Sequence, residues 1–231
     1  MSAPGLSIHD SEEAVARAAA GRVVGLAREI PANRRFRIGL SGGRTPRRLY
    51  QLLATRLEAD RVELLFADER GVPPDSEDSN YRLVQETLLA ALPVPAERVH
   101  RMRGELADLE VAAREYEPLL EPPLDLLVLG IGEDGHIASL FPGSPLIEER
   151  SRRVAAVLDS PKPPARRLTI TPRVIVEAGT VMVLAIGAAK AGAVAAALAV
   201  AGDPADCPAR LARGGEWLLD RAAAKKANAR G

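Results

Sequence analysis

The stretch LDLLVLGIGEDGH, residues 124–136, is the part of the chain that decides the fold. Its first half, Leu124–Leu129, is almost wholly apolar, which is typical of a strand in a parallel sheet covered on both faces. Its second half contains three glycines and ends in Asp134-Gly-His136. Because glycine permits tight turns, this half predicts a polar loop tip above the edge of the sheet.

Strands and helices are predicted to alternate on either side of this stretch. A helix is predicted from a cap at Asp10 or Ser11 to about Glu29. Further strands are predicted at Arg35–Leu40, Arg61–Ala67, Val154–Leu158, Arg167–Thr171, Val181–Ile186 and Trp217–Leu219. Helices are predicted after Thr45, at Tyr81–Ala91, after Gly187 and at the C-terminus, and a loop at Asp68–Asn80.

This alternation favours an α/β fold with a mostly parallel sheet and helices on both faces. Ligands of such sheets bind beyond the C-terminal ends of the strands. The sequence shows no internal repeat and no linker, so residues 1–231 are expected to form a single domain.

The composition argues against several classes of protein. The 31 basic and 31 acidic residues give a net charge of zero without a basic footprint, so no nucleic-acid partner is expected. The single cysteine, Cys207, rules out an intramolecular disulfide and a zinc site built from cysteines. The N-terminus does not resemble a signal peptide, and apolar runs such as Val181–Ile186 are too short to span a bilayer. We therefore expect a cytoplasmic protein without a membrane partner.

A glycine-rich turn, Ser41-Gly42-Gly43-Arg44-Thr45, follows the strand at Arg35–Leu40. Its glycines allow close approach of the backbone, and the following helix offers free N–H groups to an anion. Arg44 can add a charge-assisted contact to a phosphate. The alternative is an ordinary turn with a solvated arginine. The absence of GKS or GKT argues against a nucleotide P-loop.

The charged segment Asp68-Glu69-Arg70 follows the next strand. In a functional interpretation Arg70 binds or polarises a substrate and Asp68 orients it. The alternative is an arginine–carboxylate clamp within a loop, with Ser79 or Asn80 capping the next helix.

His136 is the strongest candidate for proton transfer, because its imidazole titrates near neutral pH and it lies at the tip of the glycine loop. Asp134 either orients His136 or only shapes the loop. A structural or surface role for the histidine is the alternative. Lys190 and Arg166 or Arg167 can complete a basic lining, or can be solvated charges near the ends of elements.

Taken together, five motifs resemble the 6-phosphogluconolactonase family in type and order. They are SGGRTP (41–46), FADERGVPPDSEDSNYRLV (66–84), LGIGEDGHIASLFPGS (129–144), SPKPPARRLTIT (160–171) and GAAKA (187–191). The resemblance implies a Rossmann-like sheet related to glucosamine-6-phosphate deaminases and ribose-5-phosphate isomerases. It also implies hydrolysis of 6-phosphogluconolactone in the pentose phosphate pathway, with no metal and no organic cofactor.

Carried over position by position, the resemblance implies that His136 is the general base. Arg70 and Asp134 are the further candidates for catalytic residues. The implied contacts to the sugar-phosphate lactone are Gly42, Gly43, Arg44, Thr45, Asp68, Arg70, Arg167 and Lys190. Neither Ser41 nor Ser139 lies in a G-x-S-x-G elbow, so no serine nucleophile is expected.

Three other functions are compatible with parts of the sequence. Glucosamine-6-phosphate deaminases resemble the chain at its glycine–histidine loop but typically have NGHIAFN where this sequence has Asp134-Gly-His-Ile-Ala-Ser139. A sugar-phosphate sensor would need a DNA-reading module, which is not apparent in the sequence. An inactive homologue is disfavoured because His136, Arg70 and Lys190 are all present. A monomer is the working expectation.

Overall fold

The computed structural model describes residues 5–227. Residues 1–4 and 228–231, the outer ends of the predicted domain, lie outside the described residues, and the single-domain assignment stays a prediction. Among the described residues, no helix is both long enough and apolar enough to cross a membrane.

The strands, numbered along the chain, are β1 (Gly5–His9), β2 (Phe36–Leu40), β3 (Val62–Phe66), β4 (Asp68–Arg70), β5 (Leu126–Gly130), β6 (Val154–Val157), β7 (Arg167–Ile170), β8 (Thr180–Ala185) and β9 (Glu216–Asp220). The α-helices are α1 (Glu12–Glu29), α2 (Arg47–Leu53), α3 (Asn80–Val84), α4 (Leu109–Tyr116), α5 (Pro172–Glu177), α6 (Ala191–Leu198) and α7 (Arg221–Ala224).

Six strands form a parallel sheet in the order β1-β9-β8-β5-β2-β3. The predicted α/β class with a mostly parallel sheet is therefore confirmed. Leu126–Leu129 of β5 are 0% exposed, as expected for a central strand covered on both faces. Gly39 in β2 provides space for its neighbours, because a Cβ atom there would lie 2.7 Å from the side chain of Leu124 and 2.9 Å from that of Leu127.

A second, antiparallel sheet of three strands has the order β4-β7-β6. The prediction of a loop over Asp68–Asn80 is wrong for its first three residues, which form β4. Three consecutive charged residues show no apolar alternation, so only pairing with β7 makes them a strand. The strands predicted near Val154 and Arg167 exist, but they belong to this second sheet.

The predicted helices are present with one local change, whereas α4 and α5 were not predicted. Ser11 caps α1, since its hydroxyl accepts a hydrogen bond of 3.2 Å from the Ala14 N–H. The helix predicted at Tyr81–Ala91 begins at Asn80, but a π-helical turn at Gln85–Leu89 replaces the α-helix after Val84. Within this π-helical turn, the Thr87 hydroxyl donates to the Leu83 carbonyl at 2.6 Å.

The N-terminal strand β1 was not predicted. It lies at the edge of the parallel sheet, and its five residues are mostly exposed. A segment this short and this exposed carries too little apolar alternation to indicate a strand.

The C-terminal ends of β8, β5, β2 and β3, four neighbouring strands, meet at one edge of the sheet. The segments that follow them carry Lys190, His136, the glycine-rich turn at 41–45 and Asp68–Arg70. The topology therefore assembles motifs that are far apart in the sequence.

Candidate active site

A cavity of about 470 Å³ opens at this edge of the sheet. Its lining contains His136 and all of the predicted substrate contacts, Gly42, Gly43, Arg44, Thr45, Asp68, Arg70, Arg167 and Lys190. Five cationic and three acidic side chains line it. Its size and net positive charge suit a small anionic ligand.

Asp134 and His136 form a close pair on the loop after β5. Asp134 Oδ1 lies 2.6 Å from Nδ1 of His136 and accepts a second hydrogen bond of 3.3 Å from the His136 N–H. Gly132 provides the space, because a Cβ atom there would lie 2.0 Å from His136 Nδ1 and 2.4 Å from Asp134 Oδ1. Asp134 is therefore in contact with the histidine, as one of the two sequence interpretations required.

This pair leaves Nε2 of His136 available as a base. A carboxylate only accepts hydrogen bonds, so we assign the ring proton to Nδ1 and the free lone pair to Nε2. Burial lowers the pKa of His136 and outweighs the raising effect of Asp134, and the nearby Lys162 lowers the pKa further. The lowered pKa favours the neutral imidazole, the protonation state that a general base needs.

Lys162 is a site residue that the sequence interpretation missed. Its Nζ lies 2.8 Å from Asp134 Oδ2 and 3.4 Å from His136 Nδ1, and it lines the cavity. Burial raises the pKa of Asp134, but Lys162 and His136 outweigh this effect and hold the pKa at about 2. The sequence signal was a lone lysine among the prolines at 160–164, within one of the five family motifs, but no role was assigned to it.

Arg167 is buried, with 4% of its surface exposed, and it holds the loop that carries Lys162. Its guanidinium donates to the carbonyls of Lys162 (3.1 Å), Pro163 (3.0 Å) and Pro164 (3.0 Å). One further N–H group lies 3.4 Å from the Ser139 hydroxyl. Most of its donors are thus engaged within the protein, which leaves little of Arg167 for a substrate.

The glycine-rich turn is fixed from both sides. The Tyr50 hydroxyl accepts from the Ser41 N–H at 3.0 Å and donates to the Ser41 carbonyl at 2.7 Å. A Cβ atom at Gly42 would lie 1.7 Å from Asn80 Oδ1, so only glycine fits there. Gly43 has a φ of +92°, in the region that favours glycine. Within residues 5–227, the N–H groups at 42–45 donate to no protein acceptor and remain available to an anion.

The charged segment of β4 contains two buried carboxylates with different surroundings. Asp68 accepts from the Asn80 amide at 2.9 Å and from the Ser139 hydroxyl at 2.8 Å. Glu69 accepts from the N–H groups of Arg70, Asn80 and Tyr81 and so ties β4 to the start of α3. Burial raises the pKa of Glu69, and these N–H groups oppose that effect.

Arg70 does not form the carboxylate clamp that the alternative interpretation required. Its Nη1 donates to the Asp78 carbonyl at 2.7 Å, and its buried Nε has no partner among the described residues. Ser79 does cap α3, accepting from the Arg82 N–H at 3.2 Å. Arg70 therefore lines the cavity with unused donors.

Arg44, in the segment after β2, and Lys190, in the segment after β8, both line the cavity. Neither side chain has a hydrogen-bond or ion-pair partner within the described part of the chain. Burial lowers the pKa of Lys190, which Glu133 partly offsets and Lys162 and Arg44 reinforce. The two cations are therefore close enough to influence one another.

The two serines near the site have buried hydroxyls with internal partners. Ser41 Oγ donates to the Val128 carbonyl at 2.8 Å, and Ser139 Oγ donates to Asp68 at 2.8 Å. Neither is hydrogen-bonded to His136, so neither has the partner that activates a serine nucleophile. In the described ranges, no group of three or more His, Cys, Asp or Glu side chains could hold a metal ion.

Comparison with known proteins gives one consistent family. The family model described as "Glucosamine-6-phosphate isomerases/6-phosphogluconolactonase" matches residues 10–219. The 6-phosphogluconolactonase of Mycobacterium tuberculosis is 39% identical over 241 aligned residues, covering 96% of this chain and 97% of the relative.

Solved structures agree with the sequence comparisons. The 6-phosphogluconolactonase of Trypanosoma brucei superposes with a TM-score of 0.88 at 29% identity, covering 97% of this chain and 99% of that one. A monomeric glucosamine-6-phosphate deaminase superposes with a TM-score of 0.84 at 24% identity, covering 96% of this chain and 99% of that one. The second likeness concerns the fold alone.

Proposed function

Since the chain belongs to the family of glucosamine-6-phosphate isomerases and 6-phosphogluconolactonases, we propose that it hydrolyses 6-phosphoglucono-1,5-lactone with His136 as general base. The chain is a lactone hydrolase, and relatives named for this activity match it over nearly their whole length. Its reaction is a step of the pentose phosphate pathway. Cytoplasmic location and a monomeric state stay predictions.

The observation that carries the mechanism is the Asp134–His136 pair at the wall of a positively charged cavity. Asp134 lies 2.6 Å from Nδ1, and Nε2 has no hydrogen-bond partner among the described residues, so its lone pair is left for a water molecule in the cavity. General-base assistance of this kind contributes roughly 10²–10⁴-fold to a rate. A lactone is an activated ester, so water can attack it directly.

The phosphate of the substrate is assigned to the glycine-rich turn. Arg44, Lys190 and the free N–H groups at 42–45 provide charge and directed donors for its oxygens. Arg70 also lines the cavity and keeps donors without a partner among the described residues, and we assign it to the oxyanion that forms at C1. The substrate then extends from the glycine-rich turn towards His136.

In the proposed reaction, Nε2 of His136 takes a proton from water as the water oxygen bonds to C1 of the lactone. The carbonyl electron pair moves to oxygen, and Arg70 stabilises the resulting negative charge. When the C1–O5 bond breaks, the protonated imidazole returns its proton to O5. The product is the open-chain acid, which ionises to 6-phosphogluconate, and the histidine is neutral again.

The test is an assay of three substrates by the same purified protein. Freshly generated 6-phosphogluconolactone should be hydrolysed far above its spontaneous rate, and unphosphorylated gluconolactone much more slowly. Glucosamine 6-phosphate should release no ammonia. Deamination without lactone hydrolysis would contradict the proposal and favour the rival activity of the same family.

A further inference from the structure

Lys162 is the one cation of the cavity that contacts both members of the Asp134–His136 pair. The pair alone has two opposite effects. Asp134 orients the imidazole, but its negative charge also favours the protonated ring, which cannot act as a base. A cation bound to the other carboxylate oxygen offsets the negative charge of Asp134, so the imidazole stays oriented but is less easily protonated.

We propose that Lys162 is a positioning residue that binds Asp134, fixes the Asp134–His136 pair and keeps His136 in its neutral, basic form. This inference rests on the proposed function, because it concerns the general base of that reaction. It assigns a role to a residue of the SPKPPARRLTIT motif for which the sequence analysis had named none.

The loop of Lys162 is built to hold this position. The Lys162 N–H donates to the Ser160 hydroxyl at 3.2 Å, and that hydroxyl donates to the Lys162 carbonyl at 2.9 Å. Arg167 donates to the same carbonyl and to the two that follow. The backbone of Lys162 is therefore anchored at both its N–H and its carbonyl, and its side chain extends to Asp134 and His136.

The other groups around His136 do not provide this charge. On its own loop Asp134 faces the imidazole, and Asp68 of β4 adds a second negative influence. Phe141 packs beside the His136 imidazole, with ring centroids 4.6 Å apart. Arg167 lies over the ring of Phe141, 5.6 Å from its centroid, and so does not contact the imidazole. Lys162 is thus the cation in direct contact, and burial together with Lys162 lowers the pKa of His136.

The test combines Lys162→Met with Lys162→Arg and a charge-matched control, Lys226→Met. Lys226 is exposed and does not line the cavity. The kcat/KM of each protein for 6-phosphogluconolactone is measured across the acid limb of the pH profile. The pKa of the His136 ring is measured separately by NMR titration of the unliganded protein, with His136→Gln identifying its signal among the three histidines.

Lys162→Met should raise the pKa of His136 and move the acid limb upward by about one pH unit, a value discounted for the solvent exposure of the lysine. Below the limb, kcat/KM then falls about tenfold, and well above the limb it recovers. Lys162→Arg and Lys226→Met should keep the wild-type limb.

An equal loss of kcat/KM at every pH, with an unchanged histidine titration, would overturn the inference and indicate a substrate contact instead. A limb that shifts equally in Lys226→Met would overturn it as well. The NMR titration needs no turnover, so a failure of this inference is distinguishable from a failure of the proposed function, which would appear as no hydrolysis by the wild type.

Discussion

Gly132 leaves the space that the imidazole of His136 occupies: a Cβ atom at residue 132 would lie 2.0 Å from His136 Nδ1. The Gly132 N–H also donates to the His136 carbonyl at 2.8 Å, so the two residues form a closed turn. The glycine is required by the side chains it faces, since its own φ does not lie in the left-handed region.

Gly132→Ala should therefore displace the Asp134–His136 pair. We expect kcat/KM for the lactone to fall by about a hundredfold, because misplacement of a catalytic group by about 1 Å has an effect of this size. Steady-state kinetics measures the change. Gly25→Ala is the control, as a Cβ atom at that position meets nothing within 4 Å. Wild-type activity in a folded Gly132→Ala protein would contradict this account of the loop.

The phosphate assignment predicts a specific pattern for the two unpaired cations. Arg44→Met and Lys190→Met should each raise KM for 6-phosphogluconolactone by roughly tenfold or more, since each removes a charge-assisted contact to an anion. The slow hydrolysis of unphosphorylated gluconolactone should change little. The ratio of kcat/KM for the two lactones is the measurement.

Arg28→Met is the matched control, because Arg28 is exposed on α1 outside the cavity. If both lactones lose activity by the same factor in Arg44→Met and Lys190→Met, the phosphate does not bind at this end.

The pH dependence of Asp134→Asn has the opposite sign to that of Lys162→Met. Asp134 raises the pKa of His136, so its neutralisation lowers that pKa and moves the acid limb of kcat/KM to lower pH. The plateau should also fall, by about 10²-fold, because an amide no longer selects the Nδ1-protonated ring. A pH–rate profile from about pH 5 to 9 reports both effects. An upward shift of the limb would contradict the assigned roles.

The sequence predicted the fold and most of the site because local patterns carried them. Apolar strands such as Leu124–Leu129 and the glycines at 43 and 132 act through rules that hold within a few residues. The strand ends then converge because the sheet is parallel, so His136, Arg70 and Lys190 line one cavity as expected.

The sequence could not predict contacts that depend on distant partners. Nothing near Lys162 indicates that it contacts Asp134, which lies 28 residues earlier in the chain. Likewise, the short strand β4 exists only because β7 pairs with it. In each case the determining interaction joins segments that the chain order alone does not place together.

The most direct test of the account is the kcat/KM of wild type and His136→Gln for freshly generated 6-phosphogluconolactone at pH 7 with EDTA present, corrected for spontaneous hydrolysis. The account predicts fast wild-type turnover and a loss of roughly 10²–10⁴-fold in a His136→Gln protein whose circular dichroism is unchanged. A folded His136→Gln protein that keeps activity within a few-fold of the wild type would contradict the assignment of His136 as the general base.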